Sequence, residues 1–491
     1  MNLEALKHKN IHIVGISGAE GSSVAEFLLG IGARDIIGHD IATHEEFRAS
    51  YYKYHDWLTD DEKEKKFQSL TGSEIKINFG REYLSGIEKA DVVFVPQSWF
   101  RYKENIPKLK KMMEKGTPFS SIMKLYFELS KAPIVGITGT VGKSSVASFT
   151  YQILSQFKPG HVFATGNDRK NEQVLNKILD LTIDDILVVE ISNRQLTIDL
   201  QKSPHVGVLT NVSPNHLDDH ESFIEYKAIK QSLFQYQTGM NFAVFDYDDE
   251  ESRDIAKDLE SNVIWVSTKE ELNDGVYIKN GDIEIKAGNK VFNVGQVRDI
   301  AVPGVHNEKN VLLAIASAYA LNIDSKTIRE SLANLKSLPN RIEEVANING
   351  AKYINDTSST RPKSMQAAVE TFKSYNTILI TGGKRPILIP GEFESAADQI
   401  LDAKVKAVFL IGEAGQQIED TIRSEAHNLA KNVPLIMKVK NLDEAVDKAN
   451  RMAKKGDTVL FSPGCESFDM FADYRDRGNK FKELVKKYEK R

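Results

Sequence analysis

The sequence predicts an α/β protein of three domains, in which mostly parallel sheets are flanked by helices. The chain has 491 residues, more than one hydrophobic core usually organises. Short apolar runs recur along it, and most are followed by a glycine-rich turn and apolar residues at helical spacing. These runs fall into three blocks, from which we predict domains at residues 1–132, 133–338 and 339–491.

The composition is that of an ordinary soluble protein, with 41% hydrophobic residues, 27% charged residues and a net charge of -5. This charge argues against a nucleic-acid-binding protein. The single cysteine, Cys465, excludes an internal disulfide and suits a reducing compartment. The N-terminus lacks the order of a signal peptide, and no apolar run approaches the roughly 20 residues that span a bilayer. We therefore expect a cytoplasmic protein with neither membrane nor nucleic-acid partners.

The first block begins with a strand that leads into glycines spaced G-x-x-G-x-x-G, a helix, and a second strand ending near Asp40. This arrangement resembles a nucleotide-binding βαβ unit, and a turn without a ligand remains the alternative. Residues 44–75 are charged and aromatic, and we expect an exposed helical excursion with a solvated face. The candidate ligand-binding residues of this block are Gly15, Ser17, Gly18, Gly21, Ser22 and Asp40.

The second block carries the strongest chemical motif, Thr138 to Ser145, between a strand and a helix. In this setting the loop amides can cradle phosphates, the Lys143 ammonium can neutralise them, and the Ser144 hydroxyl can ligate magnesium. The lead-in departs from the usual phosphate-loop pattern, because Ile137 stands where that pattern has glycine. The candidate nucleotide-binding residues are Gly139, Thr140, Gly142, Lys143, Ser144 and Ser145.

Two further segments of this block can serve magnesium chemistry. Glu190 ends a buried strand, where a parallel sheet presents residues to its active edge. His216 lies in the polar loop Ser213 to His220 after another strand. Together they can hold hard cations that bridge phosphate groups. Taken singly, each also admits a purely structural role.

Six segments, in the same order, resemble those of the Mur ligase family, which adds amino acids stepwise to a UDP-sugar precursor of cell-wall peptide. They span residues 136–145, 190–196, 211–218, 226–230, 303–310 and 340–343. Segments of the third block, 355–360, 382–384, 462–471 and 477–481, are most similar to those of the glutamate-adding members. The resemblance implies Rossmann-like N-terminal and C-terminal domains around a central P-loop ATPase domain.

The resemblance also implies residue roles. Lys143 and Ser144 would meet ATP phosphates and magnesium, Glu190 and His216 would ligate two Mg²⁺ ions, and Asn167 would lie beside the transferring phosphoryl group. Lys230 matches the lysine that the family carbamylates into a magnesium ligand. The precursor would contact Ser192 and the glycine turn of the first block, Gly15 to Gly21. Residues implied for the adenosine site are Asn307, Asn310, Arg341 and Asp356, and those for the incoming amino acid are Thr360, Lys384, Ser467 and Tyr474.

The implied activity is an ATP-dependent ligase that adds D-glutamate to UDP-N-acetylmuramoyl-L-alanine through an acyl phosphate, working as a monomer with a hinge near residues 300–340. Ser358 stands where glutamate-adding enzymes often carry lysine, and residues 383–386 alter a neighbouring loop. Another amino acid or precursor therefore remains an alternative, as in an L-glutamate-adding or pseudomurein peptide ligase. The third alternative is a relative of these enzymes that binds a nucleotide but has no catalytic activity.

Overall fold

The computed structural model describes residues 2–72, 75–101, 106–167, 173–214, 220, 222–373, 376–385 and 391–489. It divides into two compact units, Met1–Asp299 with Lys309–Asn334, and Ile300–Glu308 with Leu335–Arg491. The first unit contains two sheets and the second contains one. The α/β class and the dominance of parallel strands are confirmed. The boundaries predicted after residues 132 and 338 both fall between sheets, and the division at these points remains a prediction.

The first sheet has five parallel strands in the order β3-β2-β1-β4-β5, the doubly wound order of nucleotide-binding folds. Its elements are α1 (Leu3–Leu6), β1 (Ile11–Val14), α2 (Ala19–Gly30), β2 (Ile36–Asp40), α3 (Phe47–Lys53), α4 (Asp60–Thr71), β3 (Lys76–Phe79), β4 (Val92–Phe94), α5 (Ile106–Glu114), β5 (Phe119–Ser120) and α6 (Ile122–Leu129).

The expected excursion at residues 44–75 is helical, but the solvated face belongs mainly to α4. Helix α4 begins with a capping box between Thr59 and Glu62, and Leu70 is its one buried residue. Helix α3 instead buries Phe47 and Tyr51. The Tyr51 ring stacks on His55 at 3.8 Å, and the His55 imidazole contacts the Ser22 hydroxyl at 2.9 Å. The prediction of an exposed excursion is therefore wrong for α3, because the Phe47 and Tyr51 rings pack against Phe67 of α4.

The second sheet has nine strands in the order β14-β13-β12-β11-β10-β9-β6-β8-β7. It is parallel as far as β12, and β12 to β14 form an antiparallel meander. The elements are β6 (Ile134–Thr138), α7 (Lys143–Phe157), β7 (Val162–Gly166), β8 (Ile186–Glu190), β9 (Val206–Leu209), α8 (Phe223–Gln231), β10 (Phe242–Asp246), α9 (Glu250–Ala256), β11 (Asn262–Ser267), β12 (Gly275–Lys279), β13 (Asp282–Ala287), β14 (Lys290–Gln296), α10 (Val305–Ala320) and α11 (Ser325–Leu332).

The central strands of this sheet are buried along their whole length. Every residue of β6, β8 and β9 is buried. This explains why they read as continuous apolar runs rather than as alternating patterns, since a parallel sheet is usually covered on both faces. The polar residues that follow these strands are therefore presented together at one edge of the sheet.

The third sheet has six strands in the order β15-β16-β20-β17-β18-β19, and only β15 is antiparallel. Its elements are β15 (Glu343–Ile348), β16 (Ala351–Asn355), α12 (Pro362–Thr371), β17 (Asn376–Gly382), α13 (Glu392–Asp402), β18 (Ala407–Ile411), α14 (Gly415–Asn428), β19 (Leu435–Lys438), α15 (Leu442–Met452), β20 (Asp457–Phe461) and α16 (Tyr474–Glu489). Across the described ranges, no helix combines the length and apolar character needed to cross a membrane.

Candidate active site

The turn between β6 and α7 requires glycine at two positions. Gly139 has a φ of +145° and Gly142 a φ of +91°. A Cβ at Gly139 would overlap the Thr210 hydroxyl, and one at Gly142 would lie 2.7 Å from the Asn310 amide oxygen. Only glycine satisfies both conditions. The turn leads directly into α7, whose N-terminal amides and dipole favour an anion.

The loop after β9 holds this turn in shape. The Thr140 amide donates to the Asn211 carbonyl at 2.9 Å, and the Val141 amide donates to the Asn211 side-chain oxygen at 3.1 Å. The Thr210 hydroxyl donates to the Val141 carbonyl at 2.6 Å. These bonds preorganise the turn, so residues 210 and 211 have a structural role that the sequence pattern alone did not reveal.

Two predicted lysines converge on this turn. The Lys230 side-chain nitrogen donates to the Gly139 carbonyl at 2.8 Å, and the Lys143 ammonium donates to the same carbonyl and to that of Thr140, both at 3.1 Å. Ser144 and Ser145 follow Lys143 in the first turn of α7. Lys143, Ser144, Ser145 and Lys230 thus lie around a single loop, although Lys230 is 87 positions from Lys143 in the chain.

Lys230 has an unusual environment for a lysine, because its side chain is fully buried. Its nitrogen lies 4.5 Å from the centre of the Tyr226 ring, and the Tyr226 hydroxyl is 3.2 Å from that of Thr140. Burial, assisted by the charge of Lys143, lowers the pKa of the Lys230 amine to about 6. A large fraction of this amine is therefore neutral and nucleophilic near neutral pH.

Glu190 and Asn167 form a pair at the same edge of the sheet. Glu190 ends β8 and is buried, and its carboxylate accepts a hydrogen bond of 2.9 Å from the Asn167 side-chain amide. The register pairs Glu190 with Ile137 of β6 on one side and with Gly166 of β7 on the other. The carboxylate and amide predicted to serve phosphoryl transfer are thus adjacent, one strand away from the turn between β6 and α7.

The predicted metal ligands are described in part. His216 lies outside the described residues, as do its neighbours 215 and 217–219. In the parts of the chain that the structure covers, no group of three His, Cys, Asp or Glu side chains has a metal-binding arrangement. The remaining predicted ligands are the Ser144 hydroxyl, the Glu190 carboxylate and Lys230. The oxygens of Ser144 and Glu190 suit magnesium, whereas Lys230 would suit it only as a carbamate.

A cleft of about 150 Å³ runs from the first sheet to Asn167. Of the residues predicted to bind a ligand, Gly15, Ser17, Gly18 and Asp40 line it, and the Ser17 amide donates to the Asp40 carboxylate at 2.8 Å. Gly21 packs against the Gly15 backbone, and Ser22 contacts His55. Because Asn167 also lines the cleft, a ligand that fills it can extend from the turn at Gly15 to Gly18 towards the Glu190–Asn167 pair.

Sequence reasoning missed several residues of this cleft. Ser50 and Tyr54 reach it from the excursion around α3, and the Ser50 hydroxyl is 2.9 Å from that of Ser17. Glu20 and Gln97 also line it. The four-residue spacing of Phe47, Tyr51 and His55 was the available signal for the packing of α3. No local signal pointed to Glu20 or Gln97.

The second unit contains three of the predicted adenosine-site residues. Asp356 is buried, and its carboxylate accepts hydrogen bonds from Ser359 at 2.5 Å and Ser462 at 2.7 Å. Burial raises the pKa of Asp356 to about 6, although the hydroxyls and Arg341 oppose the shift. The Asn307 side chain donates to the Pro303 carbonyl at 2.7 Å. Asn310, the fourth residue, belongs to the first unit, beside Gly142.

The residues predicted for the amino acid follow the carboxyl ends of β16, β17 and β20. The Lys384 amide donates to the Glu466 carbonyl at 2.9 Å, which brings Lys384 next to Ser467. The Gly464 amide donates to the Ser359 carbonyl, so Thr360 is near the same loop. Tyr474 begins α16. Parallel strands present their ligand-binding loops at this edge.

Arg477 stabilises the loops around these residues. Its buried guanidinium donates to the carbonyls of Thr357, Cys465 and Glu466 at 3.0–3.2 Å. Cys465 is itself buried, which raises the pKa of its thiol to about 12. The loops are therefore held by an internal cation, and the thiol among them is unreactive.

Comparison with known proteins decides the family. The Mur ligase middle domain matches residues 137–318, and the Mur ligase glutamate ligase domain matches residues 340–465. UDP-N-acetylmuramoylalanine--D-glutamate ligase of Acetivibrio thermocellus is 33% identical over 485 residues, which cover 99% of this chain and 97% of that protein. The chain belongs to the Mur ligase family. This Mur ligase is therefore an ATP-dependent enzyme that forms amide bonds.

Solved Mur ligases share the three-domain fold. UDP-N-acetylmuramate-alanine ligase MurC of Thermotoga maritima superposes with a TM-score of 0.58 at 17% identity, covering 98% of this chain and 100% of that one. MurF ligase of Thermotoga maritima, in complex with ADP, gives 0.55 at 17% identity, covering 100% of this chain and 97% of that one. At these identities the likeness supports the fold alone.

Proposed function

We propose that this Mur ligase joins D-glutamate to UDP-N-acetylmuramoyl-L-alanine, at the expense of ATP, in the cytoplasm and as a monomer. The observation that carries the proposal is the convergence of Lys143, Lys230 and the Glu190–Asn167 pair at the edge of one sheet, where the cleft from the first sheet ends. The name of the Acetivibrio relative supports the choice of substrates.

The first step requires two anions, the precursor carboxylate and ATP, to be held next to each other. An oxygen of the precursor carboxylate attacks the γ-phosphorus of ATP, ADP departs, and an acyl phosphate forms. The turn amides and the Lys143 ammonium would hold the ATP phosphates, and the Asn167 amide would orient the transferring group. The amine of D-glutamate then attacks the acyl carbon, and phosphate leaves as the amide forms. Closure of the active site over the acyl phosphate would protect this intermediate from hydrolysis by water.

We propose that this enzyme binds two magnesium ions, which Ser144, Glu190, His216 and a carbamate on Lys230 would hold. Bound magnesium supplies positive charge that offsets the phosphate oxygens during transfer. The buried, largely neutral Lys230 amine favours the modification, because carbon dioxide reacts with the neutral form of an amine. The carbamate converts a cation into an oxygen ligand.

We propose that Asn307, Asn310, Arg341 and Asp356 contact the adenosine. Thr360, Lys384, Ser467 and Tyr474 would hold the incoming amino acid. Lys384 is exposed and cationic, which suits the side-chain carboxylate of glutamate. In the first unit, the glycine turn, Asp40 and Ser192 would contact the precursor.

One observation favours a second candidate, a ligase for another amino acid. Ser358 supplies no positive charge where glutamate-adding relatives often carry lysine. Release of phosphate and formation of product on mixing ATP, the precursor and single amino acids tests both candidates. D-glutamate should give the highest kcat/KM. A higher value with another amino acid would support the second candidate, and phosphate release that requires no amino acid would reject the ligase proposal.

A further inference from the structure

A closed ring of hydrogen bonds connects the first sheet to the second. The Glu20 carboxylate accepts from the Gln97 backbone amide and from the Gln195 side-chain nitrogen, both at 2.7 Å. The Ser192 hydroxyl is 3.2 Å from the side-chain oxygens of Gln97 and Gln195, and the Ser192 amide donates to the Gln195 oxygen at 2.9 Å. The ring therefore comprises Glu20, Gln97, Ser192 and Gln195.

The ring touches both halves of the proposed site. Glu20 and Gln97 line the cleft that begins at the glycine turn. Ser192 follows Glu190 by two residues, and the Ile191 amide between them donates to the Ile137 carbonyl of β6 at 2.8 Å. Glu20, Ser192 and Gln195 are each less than a tenth exposed. A shift of Glu20 and Gln97 in the cleft would therefore displace the end of β8, because the hydrogen bonds that join them are short and shielded from water.

We infer that Glu20 is a positioning residue for the ligation reaction, fixing the precursor cleft relative to the Glu190 end of β8 through Gln97 and Gln195. The inference rests on the proposed function, because it concerns the precursor. The donor and acceptor roles in the ring are fixed. The Glu20 carboxylate only accepts hydrogen bonds, whereas the Gln195 side chain donates one to Glu20 and accepts from Ser192. A glutamine at position 20 has only one side-chain oxygen to accept hydrogen bonds. It would therefore either set its NH₂ group against the NH₂ group of Gln195 or lose the hydrogen bond from the Gln97 backbone amide.

The donor and acceptor pattern suggests a reciprocal test. Glu20→Gln breaks the ring, and Gln195→Glu sets two carboxylates against each other. In the double variant, the glutamine at position 20 accepts from the Gln97 backbone amide and donates to the glutamate at position 195, which still accepts from Ser192. Every pairing is thus restored in the same positions. Glu26→Gln is the matched control, because Glu26 also lies on α2 and bonds to Asn176 and Lys66 away from the cleft.

The experiment is steady-state kinetics of the full-length enzyme with the precursor, ATP and D-glutamate varied in turn. We expect Glu20→Gln to raise the precursor KM and lower kcat/KM for the precursor by about 10- to 100-fold, the usual effect of losing a hydrogen bond to a charged group. The ATP KM and the melting temperature should change little. The double variant should recover most of the loss, and Glu26→Gln should match the wild type.

The inference is overturned if Glu20→Gln leaves the precursor KM unchanged, or if the double variant is as impaired as the worse single variant. A role confined to folding would lower the melting temperature and the active fraction without changing the precursor KM. An inactive wild-type enzyme would instead reject the proposed function, so the two failures are distinct.

Discussion

At the scale of single residues, Lys230 combines features that seldom occur together in a lysine. It is fully buried, faces an aromatic ring, and shares a carbonyl acceptor with a second lysine. Such burial is costly for an ammonium group. A carbamate that binds magnesium would offset this cost and account for the position of the side chain.

We expect Lys230→Ala to reduce ligation at least about 100-fold, since removal of a group that stabilises developing charge has effects of that order. Bicarbonate or acetate should restore part of the activity by placing a small carboxylate in the vacated space. Phosphate release measured with and without each salt is the test. Unchanged activity in the alanine variant would contradict the proposed role, and Lys227→Ala on the same helix is the control.

A second residue-scale feature is the pair His12 and His39, whose rings contact at 2.8 Å inside the first sheet. His39 also donates to the Tyr83 carbonyl at 2.5 Å. Burial, and to a lesser extent His12 and Lys108, lower the pKa of His39 to about 4. Because the folded-state pKa lies below the unfolded value near 6.5, neutral His39 stabilises the fold above pH 6.5, and this contribution disappears as the pH falls to about 4.

We therefore expect acidification from pH 7.5 to 4 to remove about 3 kcal/mol of stability through His39. His39→Asn keeps a donor for the Tyr83 carbonyl and does not titrate in this range. Urea unfolding across this interval, followed by tryptophan fluorescence, should show a flatter pH dependence for the variant. Equal pH dependence in the two proteins would count against this assignment.

At the scale of elements, α3 and the residues after it form one wall of the cleft that we propose for the precursor. Tyr51 and His55 fix the segment against α2, while Ser50 and Tyr54 line the cleft. An aromatic ring beside a cleft proposed for a uridine nucleotide offers a stacking surface.

We expect Tyr54→Ala to weaken UDP binding about 5- to 10-fold, the usual contribution of one aromatic contact. Isothermal titration with UDP measures this change. Tyr52→Ala is the control, because the Tyr52 hydroxyl bonds to Glu64 on α4. If the two variants bind UDP equally well, Tyr54 has no part in recognition.

The elements also show what the sequence can and cannot predict. Residues 138–145 are contiguous, and the pattern of strand, glycines, lysine and helix start predicted the turn that the structure shows between β6 and α7. The nearness of Glu190 to this turn follows from the general rule that parallel strands end at one edge. Glu20, Gln97 and Gln195 are far apart in the chain, and each could equally have been a surface residue. Only the packing of the two sheets brings them together.

At the scale of the whole molecule, the chain passes from one compact unit to the other three times, at residues 299–300, 308–309 and 334–335. Helix α10 contains the second of these crossings. Lys143, which is proposed to meet the ATP phosphates, belongs to the first unit.

We expect Mg²⁺ with ADP to raise the unfolding temperature of the first unit by about 4 °C at a ligand concentration of roughly 100 times Kd, because binding at that concentration adds about 2.7 kcal/mol of stability. Differential scanning calorimetry measures the shift. Lys143→Ala should abolish it. An equal shift in the wild-type and Lys143→Ala proteins would argue against the nucleotide-binding role proposed for Lys143.

The buried thiol of Cys465 has a practical consequence for spectroscopy. Its inaccessibility and high pKa leave it unreactive towards maleimides at neutral pH. Cysteines introduced at exposed positions, one in each unit, should therefore take up a pair of fluorophores without removal of the native residue. Energy transfer between the dyes would then report inter-unit distance during turnover in an otherwise unaltered enzyme.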